Sequence, residues 1–210
     1  MKPLAGRIAL VTGASRGIGA AIAKRLGAEG AHVVCIARTV GGLEEVDDAI
    51  RAAGGTASLV PMDLRQHAQI DALGAELYQR YKKLDILIGN AAMLGALSPL
   101  AHMDPAQFED IFSVNVTANY RLLRSMDPLL RASDAGRVVM VSSGVARHSM
   151  AYWGSYAASK SALESLTLAY AAEMQATALR VNIVDPGVVR TAMRASAFPG
   201  EDPSTLPTPD

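Results

Sequence analysis

Cysteine is almost missing from this chain of 210 residues, where Cys35 stands alone. No intrachain disulfide can form, so the fold must be held by its core, and a single thiol suits a reducing cytoplasm. Cys35 lies in the apolar run Val33 to Ile36 and reads as a buried small hydrophobe. Net charge is missing too, because 20 Lys and Arg are balanced by 20 Asp and Glu. The basic residues are spread along the chain, which argues against nucleic acid or an anionic membrane as a partner and for a small molecule. Long apolar runs are absent: Ile8 to Val11 ends at Thr12-Gly13, too soon for a signal peptide or a membrane span. A soluble cytoplasmic protein is expected. The histidines His32, His67, His102 and His148 are scattered without ligand spacing, so no metal site is expected. Three of them read as surface residues. His148 shares a loop with Met150, Tyr152 and Trp153 and is a candidate for the substrate mouth, although a surface role is the simpler reading.

What is present is apolar content of 50%, enough for one well-buried domain in a chain of this length. Short apolar runs at 7–11, 32–36, 57–61, 85–88, 137–142 and 179–184 alternate with stretches of helical periodicity. Runs apolar throughout suit strands covered on both faces, the condition of a parallel sheet between layers of helices. Asp104-Pro105-Ala106-Gln107 reads as a helix start, with Asp104 as cap, Pro105 at the first helical position and Gln107 completing a capping box. A long helix carrying Asn115 should follow, and Pro128 should bend or end it. Residues 1–198 are expected to form the single domain. Residues 199–210, with four prolines and little apolar pattern, should be a mobile loop or extended tail.

Two stretches carry chemistry. The first apolar run leads into Thr12-Gly13-Ala14-Ser15-Arg16-Gly17-Ile18-Gly19 and then an Ala-rich helix. Glycine lets backbone approach a phosphate closely, and the unpaired N–H groups and dipole of a helix N-terminus favour an anion there. The second stretch is Tyr156-Ala157-Ala158-Ser159-Lys160, which sets Tyr156 and Lys160 one helical turn apart on one face. An ammonium beside a phenol favours the phenolate, so the Tyr156 pKa is expected to fall from its ordinary value and make the group a general acid/base.

The spacing of these glycines, with the Tyr156/Lys160 pair downstream, resembles the short-chain dehydrogenase/reductase family. The resemblance runs over nearly the whole chain and takes in Asp63, Asn90-Ala91, Asn115, Ser143, Pro186-Gly187 and Thr191 in family order. Ser143 is chosen over Ser142 because it has the family's spacing to Tyr156, and neighbours on an extended segment point to opposite sides. Two departures stand out. The family's Asn-Asn-Ala-Gly is here Gly89-Asn90-Ala91-Ala92, and the chain reaches Asp210 without the family's seventh strand, leaving either a truncated substrate loop or a six-stranded sheet with an open edge.

The resemblance implies a doubly wound α/β Rossmann domain with strand order 3-2-1-4-5-6, and an oxidoreductase acting on a carbonyl or secondary alcohol with NADP(H). It implies a catalytic set in which Tyr156 donates the proton, Ser143 holds the oxyanion, Lys160 holds the nicotinamide ribose, and Asn115 positions a relay water. It implies cofactor contacts from Gly13, Ser15, Arg16, Gly17, Ile18, Gly19, Arg38, Asp63, Leu64, Asn90, Ala91, Tyr156, Lys160, Pro186, Gly187, Val189 and Thr191. The preference for NADP rests on Ala37, where NAD-preferring relatives commonly carry an acid, and on Arg38 and Arg16, two guanidinium groups able to converge on one phosphate. Met93, Leu94, Leu97, Val145, Met193 and Phe198 fall on the rim where open sheets bind ligands, which points to a partly apolar substrate. A dimer or tetramer pairing through helices at 105–131 and 153–176 is expected. The alternative function is a regulatory module that binds NADP(H) without turnover.

Overall fold

The computed structural model describes residues 2–210. Six strands alternate with helices: β1 (Ile8–Thr12), α1 (Gly17–Ala28), β2 (His32–Ala37), α2 (Val40–Ala52), β3 (Thr56–Pro61), α3 (His67–Tyr81) and β4 (Ile86–Gly89). They continue with α4 (Pro105–Phe112), α5 (Ala118–Arg131), β5 (Arg137–Val141), α6 (Gly154–Glu173), β6 (Arg180–Val184) and the short α7 (Ala192–Ala197). The strands form one parallel sheet in the order β3-β2-β1-β4-β5-β6, the order implied by the resemblance.

Side-chain alternation along the central strands divides the core. Ala9, Val11, Val33 and Cys35 face one side of the sheet and pack with Leu43, Val46 and Ile50 of α2. Leu10, Val34 and Ile36 face the other and pack with Leu122 and Met126 of α5 and Leu163 of α6. This is why β1 and β2 are apolar at nearly every position. The edge strands depart from that pattern: β3 is only partly buried and β6 alternates between exposed and half-buried residues. Each has a strand neighbour on one side alone.

The expected helix from Pro105 is built in three pieces. Asp104 caps α4 by accepting from the Ala106 N–H at 3.2 Å. Gln107 closes no capping box; its Oε1 instead accepts from the Ala96 N–H at 2.8 Å and ties the loop after β4 to the helix. Ser113–Thr117 form a wider π turn, and α5 then runs through Pro128 to Arg131. The proline does not end the helix because Leu129 and Leu130 behind it are buried in the core. The Leu129 carbonyl also accepts from the Leu84 N–H at 3.0 Å, so tertiary contacts hold the turn that the ring weakens.

The last residues fold back on the domain. The Arg190 N–H donates to the Pro207 carbonyl at 2.9 Å, Arg194 pairs with Glu201 at 2.6 Å, and 203–205 form a short 3₁₀ turn. His32, expected at the surface, lies half-buried between Thr56, Ser58 and Tyr81 and hydrogen-bonds all three through its ring nitrogens.

Candidate active site

The carboxyl ends of β1, β2, β4, β5 and β6 open onto a cleft of about 880 Å³. Its first wall is the glycine turn. The Thr12 hydroxyl donates to the Ile88 carbonyl at 3.3 Å and accepts from the N–H groups of Asn90 and Ala91, each at 3.0 Å. Asn90 Nδ2 donates back to the Thr12 carbonyl at 2.9 Å, so the ends of β1 and β4 are laced together. Gly13 and Gly17 take φ of +65° and +55°, which side chains with a Cβ resist. A Cβ on Gly19 would lie 2.2 Å from the Gly13 carbonyl oxygen, so the helix can start this close to the strand only with glycine there. The cradle fits a pyrophosphate over the N-terminus of α1.

Beyond the turn, Arg16 and Arg38 are both exposed on the cleft wall. Among the described residues neither forms an ion pair, although Arg7, Arg25, Arg51, Arg65, Arg121, Arg147 and Arg194 all do. Asp63 is engaged by the Arg65 guanidinium at 2.7 Å, which holds its carboxyl below the usual range, while Arg65 also reaches Asp110 at 3.0 Å.

At the other end, α6 presents one buried stripe of Tyr156, Ser159, Lys160, Leu163 and Thr167. Tyr156 is 6% exposed, packed with Leu94, Val145 and Ala157 and against Trp153 and Met193. Lys160 is 2% exposed, and its Nζ donates to the Val141 carbonyl at 2.8 Å. The expectation of a lowered Tyr156 pKa is overturned. Burial pushes the phenol up to about 12, the Ser143 hydroxyl pulls it down, and the Asp185 charge adds to the rise. Burial also lowers Lys160 to about 8, with Glu164 opposing. The ammonium is aimed at Val141, so it does little for the phenolate, and loss of hydration outweighs it. Tyr156 therefore holds its proton firmly.

Asn115 sits in the π turn, fully buried. Its Oδ1 accepts from the Met93 N–H at 2.7 Å, and its Nδ2 donates to the Met93 carbonyl and the Ser159 hydroxyl, each at 2.9 Å. The side chain is thus used up in tying the loop after β4 to α6. The Asn115 backbone carbonyl accepts from Asn119 Nδ2 at 2.9 Å.

Gly13, Ser15, Arg16, Gly17, Ile18, Arg38, Asp63, Leu64, Asn90, Ala91, Ser143, Tyr156, Lys160, Pro186, Gly187, Val189 and Thr191 all line this one cleft. Gly19 and Asn115 stand behind it as supports. Of the rim residues, Met93, Leu94 and Met193 reach the cleft, as does Trp153; His148 is exposed outside it. Asn119 was not legible in the sequence. It caps the π turn, and a Cβ on Gly89 would lie 2.8 Å from its Oδ1 and 2.1 Å from Met140 Sδ, so the glycine that replaces the family's first asparagine makes room for it. Ala92, the other departure, packs against the cluster that holds Leu94 and Tyr156. No group of histidine, cysteine or acidic residues that could hold a metal ion occurs among the described residues, and no helix among them is long and apolar enough to cross a membrane.

A nucleotide-phosphate turn and a buried tyrosine–lysine pair on one parallel sheet are the signs of a hydride-transferring class, and the comparisons agree. The short chain dehydrogenase family profile matches residues 7–202. The chain is 40% identical over 206 residues to the oxidoreductase YciK of Escherichia coli, covering 97% of this chain and 81% of that one. It is 35% identical to ketoacyl reductase HetN of Nostoc sp., over 90% of this chain and 66% of that one. A crystal structure of a short chain dehydrogenase from Shigella flexneri complexed with NADP superposes with a TM-score of 0.95 at 40% identity, covering 99% of this chain and 88% of that one. Another from Escherichia coli, complexed with NADPH, gives 0.94 at 41% over the same shares. The chain belongs to the short-chain dehydrogenase/reductase family.

Proposed function

We propose that this chain is an NADP(H)-dependent oxidoreductase interconverting a carbonyl compound and its secondary alcohol, with Tyr156 as general acid/base. The observation that carries the reading is a phenol held protonated, beside Ser143 and a buried lysine, at one end of a cleft whose other end offers a glycine cradle and two guanidinium groups without an ion pair among the described residues. The glycine turn and α1 hold the pyrophosphate, while Arg16 and Arg38 hold the phosphate that distinguishes NADP from NAD. The Shigella and Escherichia coli relatives crystallised with that cofactor support this choice.

When bound, NADPH supplies the hydride that adds to the carbonyl carbon. As the carbonyl π pair moves onto oxygen, the Tyr156 O–H gives that oxygen its proton, and the Ser143 hydroxyl donates a hydrogen bond to the developing charge. The phenolate is left with the Lys160 ammonium 5.8 Å from its ring centre; burial lowers that ammonium to about 8, so once it swings from Val141 it can give up a proton near neutral pH. A water accepted at the Asn115 carbonyl would join Lys160 to solvent and return its proton. Ala92, Leu94, Trp153 and Met193 keep water from the phenol and fit a partly apolar substrate.

Exposed Tyr120 on α5 and Leu166 and Leu168 on α6 are the apolar residues through which two copies pair, to be checked by light scattering. A panel of carbonyl compounds and alcohols followed by NADPH absorbance tests the activity. Turnover of any member supports it, and tight NADPH binding without turnover across the panel would replace it with a regulatory module.

A further inference from the structure

The turn between β5 and α6 carries Ser143 into the cleft, and α6 holds that turn through Glu164, which does not itself line the cleft. Ser142 Oγ donates to Glu164 Oε1 at 2.6 Å, and Arg147 Nε donates to Glu164 Oε2 at 3.0 Å. One carboxylate therefore grips the turn just before Ser143 and again after it. From the same helix, Lys160 Nζ donates to the Val141 carbonyl at 2.8 Å and Ser161 Oγ to the Ala146 carbonyl at 2.7 Å. The Ser142 N–H meets the Val184 carbonyl at 2.8 Å, which fixes the other side of the turn to β6. Val145, midway along it, packs in one cluster with Tyr156 and Ala157 of α6.

Packing alone does not account for a carboxylate at this place. The Glu164 side chain is 12% exposed and Ser142 is 3% exposed. Withdrawing a carboxylate from water is unfavourable unless its oxygens find donors, and an apolar side chain would fill the same position on α6 without that penalty. Lys160, one helical turn away, is not such a donor, because its Nζ is turned to Val141. Each oxygen instead accepts from a residue of the Ser143 turn.

We propose that Glu164 is a positioning residue, whose carboxylate sets the Ser143 hydroxyl beside Tyr156 by clamping the turn on both sides of it. The effect on turnover rests on the oxidoreductase reading above; the clamp itself does not. Released from the clamp, the hydroxyl would leave the place where the carbonyl oxygen develops its charge, and a displaced donor forfeits much of what it contributes to the transition state.

Glu164→Ala and Ser143→Ala, singly and together, test the proposal at pH 6.5, where Lys160, at about 8, keeps its charge in every variant. In the otherwise native chain Glu164→Ala should lower kcat roughly ten- to a hundred-fold, with NADPH affinity within about threefold. On Ser143→Ala the same substitution should cost less than about twofold, because no hydroxyl is left to place. An equal loss in both backgrounds would make Glu164 a general support and overturn the proposal. Ser142→Ala cuts one arm of the clamp and leaves the Glu164–Arg147 pair, so it keeps the test open if Glu164→Ala does not fold; its loss should likewise vanish on Ser143→Ala. Glu164→Gln keeps an acceptor for Ser142 and should recover most of the rate.

Amide hydrogen exchange reads the clamp without turnover. The N–H groups of Ala146, Arg147 and His148 donate within the turn to the Ser143 and Gly144 carbonyls. They should exchange about tenfold faster in Glu164→Ala or Ser142→Ala, while those of α1 stay as they are. Unchanged exchange in the turn would overturn the clamp. If the native chain reduces no carbonyl compound, the oxidoreductase reading is what suffers, and the exchange still decides the role of Glu164.

Discussion

The two ends of the cleft are built on opposite principles. At the glycine turn the groups that meet the ligand are backbone N–H donors and the exposed side chains of Arg16 and Arg38, free of ion pairs among the described residues. At the tyrosine end they are buried side chains, each held by a named partner: Lys160 by Val141, and Asn115 by Met93 and Ser159. Binding a phosphate calls for donors that remain available until the anion arrives. Moving a proton calls for groups whose hydration has been removed in advance, because burial is what shifts their affinities for it. One sheet serves both needs because its carboxyl edge meets a helix N-terminus at β1 and the flank of α6 at β5.

Removing the proton at the buried end should give the largest effect. Tyr156→Phe keeps the ring that packs against Trp153 and Met193 but deletes the acid, so turnover should fall by ~10²–10⁴. NADPH affinity, set at the other end, should stay within a few-fold. Steady-state kinetics and fluorescence titration measure the two separately, and near-native turnover in this variant would end the proposed mechanism.

The contrast also explains what could be read in advance. The strand positions, the glycine turn and the stripe of α6 follow from local patterns: runs apolar throughout, glycines at a strand-to-helix junction, and a four-residue spacing; the strand order came only from the family resemblance. The direction of the Tyr156 shift did not follow. Spacing places Lys160 near the tyrosine, but only tertiary structure shows that its Nζ turns to Val141 and that apolar neighbours strip water from the phenol. Gln107 holding Ala96, Asn119 beneath the π turn and Pro128 inside α5 were equally hidden, since each depends on a partner distant in sequence or on packing that outweighs propensity.

Burial of Lys160 has a measurable consequence of its own. Its folded value of about 8 lies below the ordinary 10.5, so between these two pH values the unfolded chain binds more protons than the folded one. Stability should therefore rise with pH across that window, and below pH 8 the full penalty of the buried charge is present. The gain is on the order of a few kcal/mol for a group this buried. Lys160→Met should flatten the difference, seen as a smaller rise in the denaturation midpoint from pH 7.5 to 9.5 than in the native chain. Parallel native and variant curves would mean that the lysine is hydrated and that this end of the cleft is not dry.

The smallest effect is expected at the exposed end, where each contact is made to a ligand within reach of water. Arg38 follows β2 directly and carries no ion pair among the described residues, and Ala37 leaves its own position without an acid. A charged hydrogen bond lost to a phosphate should weaken NADPH by roughly ten- to a hundred-fold in Arg38→Ala, while NADH, lacking that phosphate, should change little. Ala37→Asp should go further by setting a carboxylate against the phosphate, and the same carboxylate offers the ribose hydroxyls of NADH an acceptor. The two substitutions should thus converge on one preference by different routes, one removing attraction and the other adding repulsion. Because the contacts are solvent-accessible, both effects should shrink as salt is raised, unlike those at Tyr156 and Lys160. Fluorescence titrations of both cofactors at two salt concentrations check this. Equal dissociation constants of the native chain for NADPH and NADH would remove Arg16 and Arg38 from the phosphate site.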